Sequence, residues 1–178
     1  MLADDGMGEL TLRELARRLG VTHAAPYAHF ADKTALLQAV AGVGFQQLAA
    51  ALAEARDGAP DPRSALAAMA VAYSGFARRS PHLYRLMFAD ESLADDPDCA
   101  LDPEGERAFD QLVEAVVAFG ITDPNAARAA SLAMWASVHG LAMLELDRRI
   151  GGKMELGDDP QGATSEILLA GLTAQLRS

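Results

Sequence analysis

Asp-Pro stands directly before an apolar helical repeat at four places in this chain: Asp61-Pro62, Asp102-Pro103, Asp123-Pro124 and Asp159-Pro160. The pair is a helix start signal. Aspartate offers a carboxylate to the unpaired amides of a first turn, and proline fits the first helical position, where an N–H is not needed. Helices are predicted from these starts over 62–79, 103–119, 123–150 and 162–177, with Ser80-Pro81 opening a shorter one to about residue 89. No segment carries the two-residue alternation of a half-buried strand. The fold class read from the chain is all-α.

The first 56 residues follow the same grammar. Thr11 and Glu14 have the spacing of a capping box. Leu12, Leu15, Ala16 and Leu19 form an apolar stripe, and Gly20 ends the helix. Thr22 is a plausible cap for a second short helix to about Phe30, and Asp32 for a third to about Arg56. Two short helices joined by Gly-Val, with small Ala16 facing the turn, have the spacing of a helix-turn-helix. The second helix would enter a major groove with its N-terminal residues at base edges. Thr22, His23 and Ala24 occupy that start. Tyr27, His29 and Lys33 fall where a hydroxyl, an imidazole or an ammonium reaches phosphate, and Thr11 heads a helix N-terminus that suits an anion. No arginine lies on this helix, so the strongest guanine-reading side chain is missing from it.

The charge distribution permits such a face. The net charge is -10, but residues 1–40 hold four basic and five acidic side chains, so the acidic excess lies downstream. No uninterrupted apolar run reaches the ~20 residues that span a bilayer. The start "MLADDGMGEL" lacks the basic and apolar regions of a signal peptide. The single Cys99 forms no intrachain disulfide, and a cytoplasmic location is expected. An enzyme is not expected. The sequence holds no glycine-rich phosphate loop, no His-Glu-x-x-His, no cysteine pair and no Gly-x-Ser-x-Gly. Glu145 and Asp147 follow His139 closely, but Glu145 lies off its helical stripe, so neither a metal nor a cofactor is expected.

Downstream, Met69, Tyr73 and Phe76 share a helix face, and Tyr84, Met87 and Phe88 lie on the short helix that follows. Soft and aromatic walls with a few polar tips suit an amphipathic small molecule, although the same residues at helical spacing also make ordinary core. On the helix over 123–150, Leu132, Trp135, His139, Met143 and Leu146 fall on one stripe. Ala129, Ala133, Ala136 and Gly140 fall on a neighbouring stripe of small side chains that permits close helix approach. His139 fits a hydrogen-bonded core histidine better than a switch.

At "LTLRELARRLGVTHAAPYAHFADKTALLQAV", residues 10 to 40, the sequence resembles the tetracycline-repressor (TetR) family of bacterial transcriptional regulators. Tyr27, Phe30, Lys33 and Leu36-Leu37 are the most specific part. "WASVHGLAMLELD", residues 135 to 147, resembles the Trp-x-x-x-His-Gly element of one group of C-terminal domains in that family. The resemblance implies a helix-turn-helix DNA-binding domain over 1–45 and a helical effector-binding and dimerisation domain over 46–178. It implies a double-stranded DNA operator as partner, with Thr11, Thr22, Tyr27, His29 and Lys33 along the DNA face. It also implies a homodimer through the last two long helices. The small stripe is assigned to that contact, with Ile167, Leu168, Gly171 and Leu172 as the matching face, and Trp135, His139 and Met143 to the interior. The expected function is a repressor released by a small-molecule effector. The competing reading is a dimeric helical binding module without autonomous DNA binding. The family has a full helix before the capping box, and with only Met1 to Gly8 preceding it here, that helix is expected to be truncated.

If Tyr27 and Lys33 touch phosphate, Tyr27→Phe combined with Lys33→Ala weakens binding on every DNA sequence alike and flattens the salt dependence. Titrations at several salt concentrations check this. Unchanged affinity and slope would remove both residues from the DNA face.

Overall fold

Asp32, Asp61 and Asp123 each cap a helix, as the sequence predicts. The computed structural model describes Arg17, Gly20, Thr22, Ala24, Ala25 and residues 28–89 and 103–150. Among these residues five α-helices form: α1 (Lys33–Asp57), α2 (Pro62–Arg79), α3 (Pro81–Ala89), α4 (Pro103–Phe119) and α5 (Pro124–Leu146). Asp32 Oδ1 accepts the Ala35 amide at 2.8 Å, Asp61 Oδ1 the Ser64 amide at 3.0 Å, and Asp123 Oδ1 the Ala126 amide at 2.8 Å. The Ser64 hydroxyl also donates to Asp61, and that bond leads the causes holding the Asp61 carboxyl below its ordinary range. On α4, Glu104 and Glu106 sit in the first turn, where the helix dipole favours negative charge.

Helix ends are less uniform. Gly120 closes α4 at φ 122, with its own amide bonded to the Val117 carbonyl and that of Ile121 to Val116. The same double hydrogen bond closes α5, from Arg148 to Glu145 and from Arg149 to Leu144. Here the left-handed position is held by Arg148 at φ 55 rather than by glycine. α5 therefore stops at Leu146, short of the predicted residue 150. The predicted helices over 11–20, 22–30 and 162–177 fall largely or wholly outside the described residues.

The long α1 packs against α2, α3 and α4, and α5 packs on α2 and α4. Its buried face carries Ala41, Phe45, Leu48 and Leu52, while α5 buries Ala127, Met134, Val138 and Ala142. Both helices are apolar and long enough to cross a bilayer by length and composition alone, a test that the core helices of soluble proteins also pass. The Phe45 ring meets Phe88 of α3 edge-on, at 5.4 Å between centroids. Ion pairs tie the outer ends. Arg78 on α2 donates to both carboxylate oxygens of Glu145 at 3.1 Å, Arg85 on α3 pairs with Asp147, and Arg56 on α1 pairs with Glu114 on α4 at 3.0 Å.

Gly44 lets α3 close on α1. A methyl group there would stand 2.6 Å from Met87 Sδ and 3.1 Å from Leu83. Gly44→Ala gains about 1 kcal/mol of helix propensity, yet overpacking of this kind costs about 1–3 kcal/mol. We expect a lower urea midpoint. A raised midpoint would mean that Met87 swings aside without loss.

Candidate functional site

The apolar faces of α1, α2, α4 and α5 do not meet completely. They leave a cavity of about 440 Å³. Its α1 wall is Phe45, Leu48 and Leu52, and its α2 wall is Leu66, Met69, Ala70 and Tyr73. Phe88 of α3 closes one side. Gly105, Ala108, Phe109 and Leu112 face it from α4, and Trp135, Val138 and Leu141 are among the residues facing it from α5. The small residues make the room. Gly105 leaves a Cβ position that is only in ordinary contact with the Phe45 ring, so helix approach there is not what limits the space. Ser137 and Leu144 also line it and are exposed, which places the rim along the outer side of α5.

Behind one wall lies a polar cluster. Tyr73 Oη on α2 receives the Trp135 Nε1–H from α5 at 3.1 Å and the Tyr84 hydroxyl from α3 at 3.2 Å. It also stands 3.0 Å from His139 Nδ1, which is 2.9 Å from Tyr84 Oη. The protons decide the tautomer. With Nδ1 unprotonated, Tyr73 donates to it and accepts from Trp135 and Tyr84, so every hydroxyl proton has an acceptor. With Nδ1 protonated, one buried tyrosine O–H has none, and leaving a buried donor unpaired costs about 1–3 kcal/mol. The geometry therefore assigns neutral His139 with its proton on Nε2. Burial acts the same way, pushing the His139 pKa below its ordinary value and both tyrosines above theirs. The rings add edge-on contacts, with Phe88 4.5 Å from His139 and Tyr73 5.8 Å from Tyr84.

Of the residues named from sequence, Met69, Tyr73, Phe88 and Trp135 line the cavity. Tyr84 and His139 stand behind Tyr73 in the polar cluster. Phe76 is core, Met87 packs on Gly44, and Met143 packs against the core, all three away from the cavity lining. Sequence reasoning missed the α1 and α4 walls. Their aliphatic residues look like any core stripe, and the signal available was the Gly105 and Ala108 pair one turn apart beside Phe109. Ala129, Ala133 and Ala136 are exposed, and Gly140 is partly buried with no described atom near its missing Cβ. Leu132, grouped in sequence with the interior stripe, is 54% exposed beside these alanines. Ile167, Leu168, Gly171 and Leu172 lie outside the described residues.

Toward the N-terminus, Gly20 takes φ 69 and its amide bonds the Arg17 carbonyl, as the end of a helix requires. The Ala25 amide returns to the Thr22 carbonyl at 3.0 Å. Thr22, Ala24 and His29 are exposed, and Lys33 is partly buried in the first turn of α1. Thr11, His23 and Tyr27 lie outside the described residues. No group of three metal-ligating side chains occurs among the described residues.

A family model for the tetracyclin repressor-like C-terminal domain matches residues 66–171. A model for bacterial regulatory proteins of the tetR family matches residues 1–40. Among solved structures, a protein of unknown function from Rhodococcus sp. RHA1 is similar at 34% identity, with TM-score 0.75, covering 96% of this chain and 89% of that one. The TetR family transcriptional regulator PfmR from Thermus thermophilus is similar at 19% identity, with TM-score 0.66, covering 99% and 93%. A TetR family regulator from Marinobacter aquaeolei VT8 is similar at 15% identity, with TM-score 0.65, covering 95% and 87%. These last two likenesses concern the fold. No curated protein matches.

The half-buried His139 gives stability a pH dependence with a definite sign. Its folded pKa lies below 6.5, so as the pH falls the unfolded chain binds the proton first. This contribution is present above about 6.5 and is lost as the pH drops toward the folded value. Comparing urea midpoints at about pH 7.5 and about pH 5.5, we expect His139→Asn to lose less stability on acidification than the unsubstituted chain. An equal loss in both would mean that the fold leaves the His139 pKa where the unfolded chain has it.

Proposed function

The chain belongs to the tetR family of bacterial regulatory proteins, and from that premise we propose that it is a homodimeric repressor that leaves its operator when a small molecule fills the cavity. A DNA-binding transcriptional regulator is what the family establishes. The repressor role, the effector and the dimer are our reading.

One observation supports the effector mechanism most. α1 begins at Lys33, beside the proposed DNA face, and carries Phe45, Leu48 and Leu52 on the cavity wall. Lys33 and Phe45 are separated by roughly 18 Å of continuous helix at 1.5 Å per residue. A ligand that displaces the wall therefore tilts a rigid rod whose other end sits at the DNA. For release, the ligand must bind the DNA-incompetent arrangement more tightly than the competent one. In this reading Thr22, His23 and Ala24 face base edges, while Thr11, Tyr27, His29 and Lys33 meet phosphates. The exposed alanines of α5, with Leu132 and the face around Ile167, Leu168, Gly171 and Leu172, form the dimer contact. Met69, Tyr73, Phe88 and Trp135 touch the ligand. Tyr84 and His139 hold Tyr73 in place, and Phe76, Met87 and Met143 support the wall from the core. The regulator acts in the cytoplasm.

Fluorescence anisotropy with the intergenic DNA beside its own gene, at two salt concentrations, tests the proposal. The expected result is salt-sensitive binding by the folded dimer that unrelated competitor DNA does not remove. Absence of specific binding by a folded dimer would favour a helical small-molecule binding module that does not act on DNA alone.

A further inference from the structure

We infer that the cavity selects an uncharged lipophilic molecule that makes few hydrogen bonds, and rejects a carboxylate or ammonium head at its wall. This rests on reading the cavity as the effector site and names the class of ligand that site takes.

The inventory of polar groups carries the argument. Among the described lining residues there is no aspartate, glutamate, lysine, arginine or histidine. The polar side chains on the wall are those of Tyr73, Trp135 and Ser137. Two of them satisfy each other, because the Trp135 N–H is given to Tyr73 Oη. That oxygen also lies 3.2 Å from Tyr84 Oη and 3.0 Å from His139 Nδ1, so its proton stays within the cluster, on Tyr84 or on His139. At most one lone pair is left over, and Tyr73 offers a ligand no donor. Ser137 donates to the Ala133 carbonyl at 2.8 Å and sits on the exposed side of α5.

Three arginines on the α1, α4 and α5 walls are also engaged. Arg56 pairs with Asp57 and Glu114, Arg107 with Glu104, and Arg128 with Asp110 while lying 5.2 Å over the Phe109 ring. An anionic head at any of these would have to displace a carboxylate. A charge carried deeper would lose its water and gain no partner, which is strongly unfavourable. What remains is burial of apolar surface against Phe45, Leu48, Met69 and Leu112, which rewards hydrocarbon area alone.

Trp135 is the only tryptophan of the chain and lines the cavity, so it reports occupancy directly. The full chain is titrated with N-phenyl-1-naphthylamine, following energy transfer from Trp135. The dye is then displaced with dodecanol, dodecanoate and dodecylammonium, which share one chain and differ in head charge. We expect dodecanol to compete at least about tenfold better than either ion, since an unpaired charge resists desolvation. Ala70→Phe fills the cavity and is expected to abolish dye uptake, and Ala108→Met serves if the first variant does not fold by circular dichroism.

Equal or better competition by dodecanoate or dodecylammonium would overturn the ligand class while leaving the cavity as the effector site. Failure of the folded chain to take up the dye would overturn the class and the effector site together, leaving the DNA-binding measurement to stand by itself. Uptake that survives the filled, folded variants places the dye elsewhere and overturns the proposal.

Discussion

Tyr73 Oη is the atom on which the interior of this protein turns. It is buried, and a buried hydroxyl must be paired. Its partners come from two other helices: Tyr84 from α3, and Trp135 and His139 from α5. Three helices are thereby fixed in register around one oxygen. Hydrocarbon packing alone tolerates sliding and repacking, because it has no direction. Hydrogen bonds at about 3 Å do not. The cluster thus gives the cavity a rigid floor, and a rigid floor is what keeps an apolar void from collapsing under the packing forces around it.

The same cluster explains why the cavity is greasy. Tyr73 and Trp135 carry polar atoms beside it, yet these are bonded to each other and to Tyr84 and His139. A neutral His139 is part of that closure, because only an unprotonated Nδ1 takes a tyrosine proton. Phe88, edge-on to His139 and Phe45, bridges the polar floor to the α1 wall. In the proposed mechanism, occupancy of the cavity reaches α1 through these contacts of ring on ring.

Much of this was legible from sequence where the responsible residue is chemically distinctive. Asp61 and Asp123 cap helices in the structure as their Asp-Pro pairs predict. Gly120 marks an end because glycine takes φ 122 without strain. The end of α5 was not legible, since Arg148 holds the left-handed position there and no rule singles out an arginine for it. The site divides in the same way. Trp135 and Tyr73 stood out by their size and polar tips. Leu48, Leu52 and Leu112 line the cavity too, but whether a leucine faces a void or a neighbouring side chain depends on how four helices meet, which no local pattern encodes. Leu132 shows the converse. Its helical angle groups it with Trp135, but no described helix covers that side of α5, and it is left exposed.

In the proposed mechanism, the ion pairs bear on which wall moves. α5 is tied to α2 by the two hydrogen bonds from Arg78 to Glu145, with side chains only 21% and 16% exposed, so solvent and salt screen this pair less than they would a surface pair. A second tie runs from Arg85 of α3 to Asp147 just beyond α5. Together with the tyrosine cluster, these make α2, α3 and α5 one block. α1 is held differently. Its Arg56 pairs across to Glu114 of α4, outside that block, and Glu114 is 70% exposed, so the pair contributes little. Against the block itself α1 presents an apolar face, and Met87 against Gly44 is a flexible side chain on a bare backbone. A ligand that expands the cavity meets a braced wall on one side and a greased one on the other. In the proposed mechanism the displacement therefore goes into α1, the helix that begins beside the DNA face.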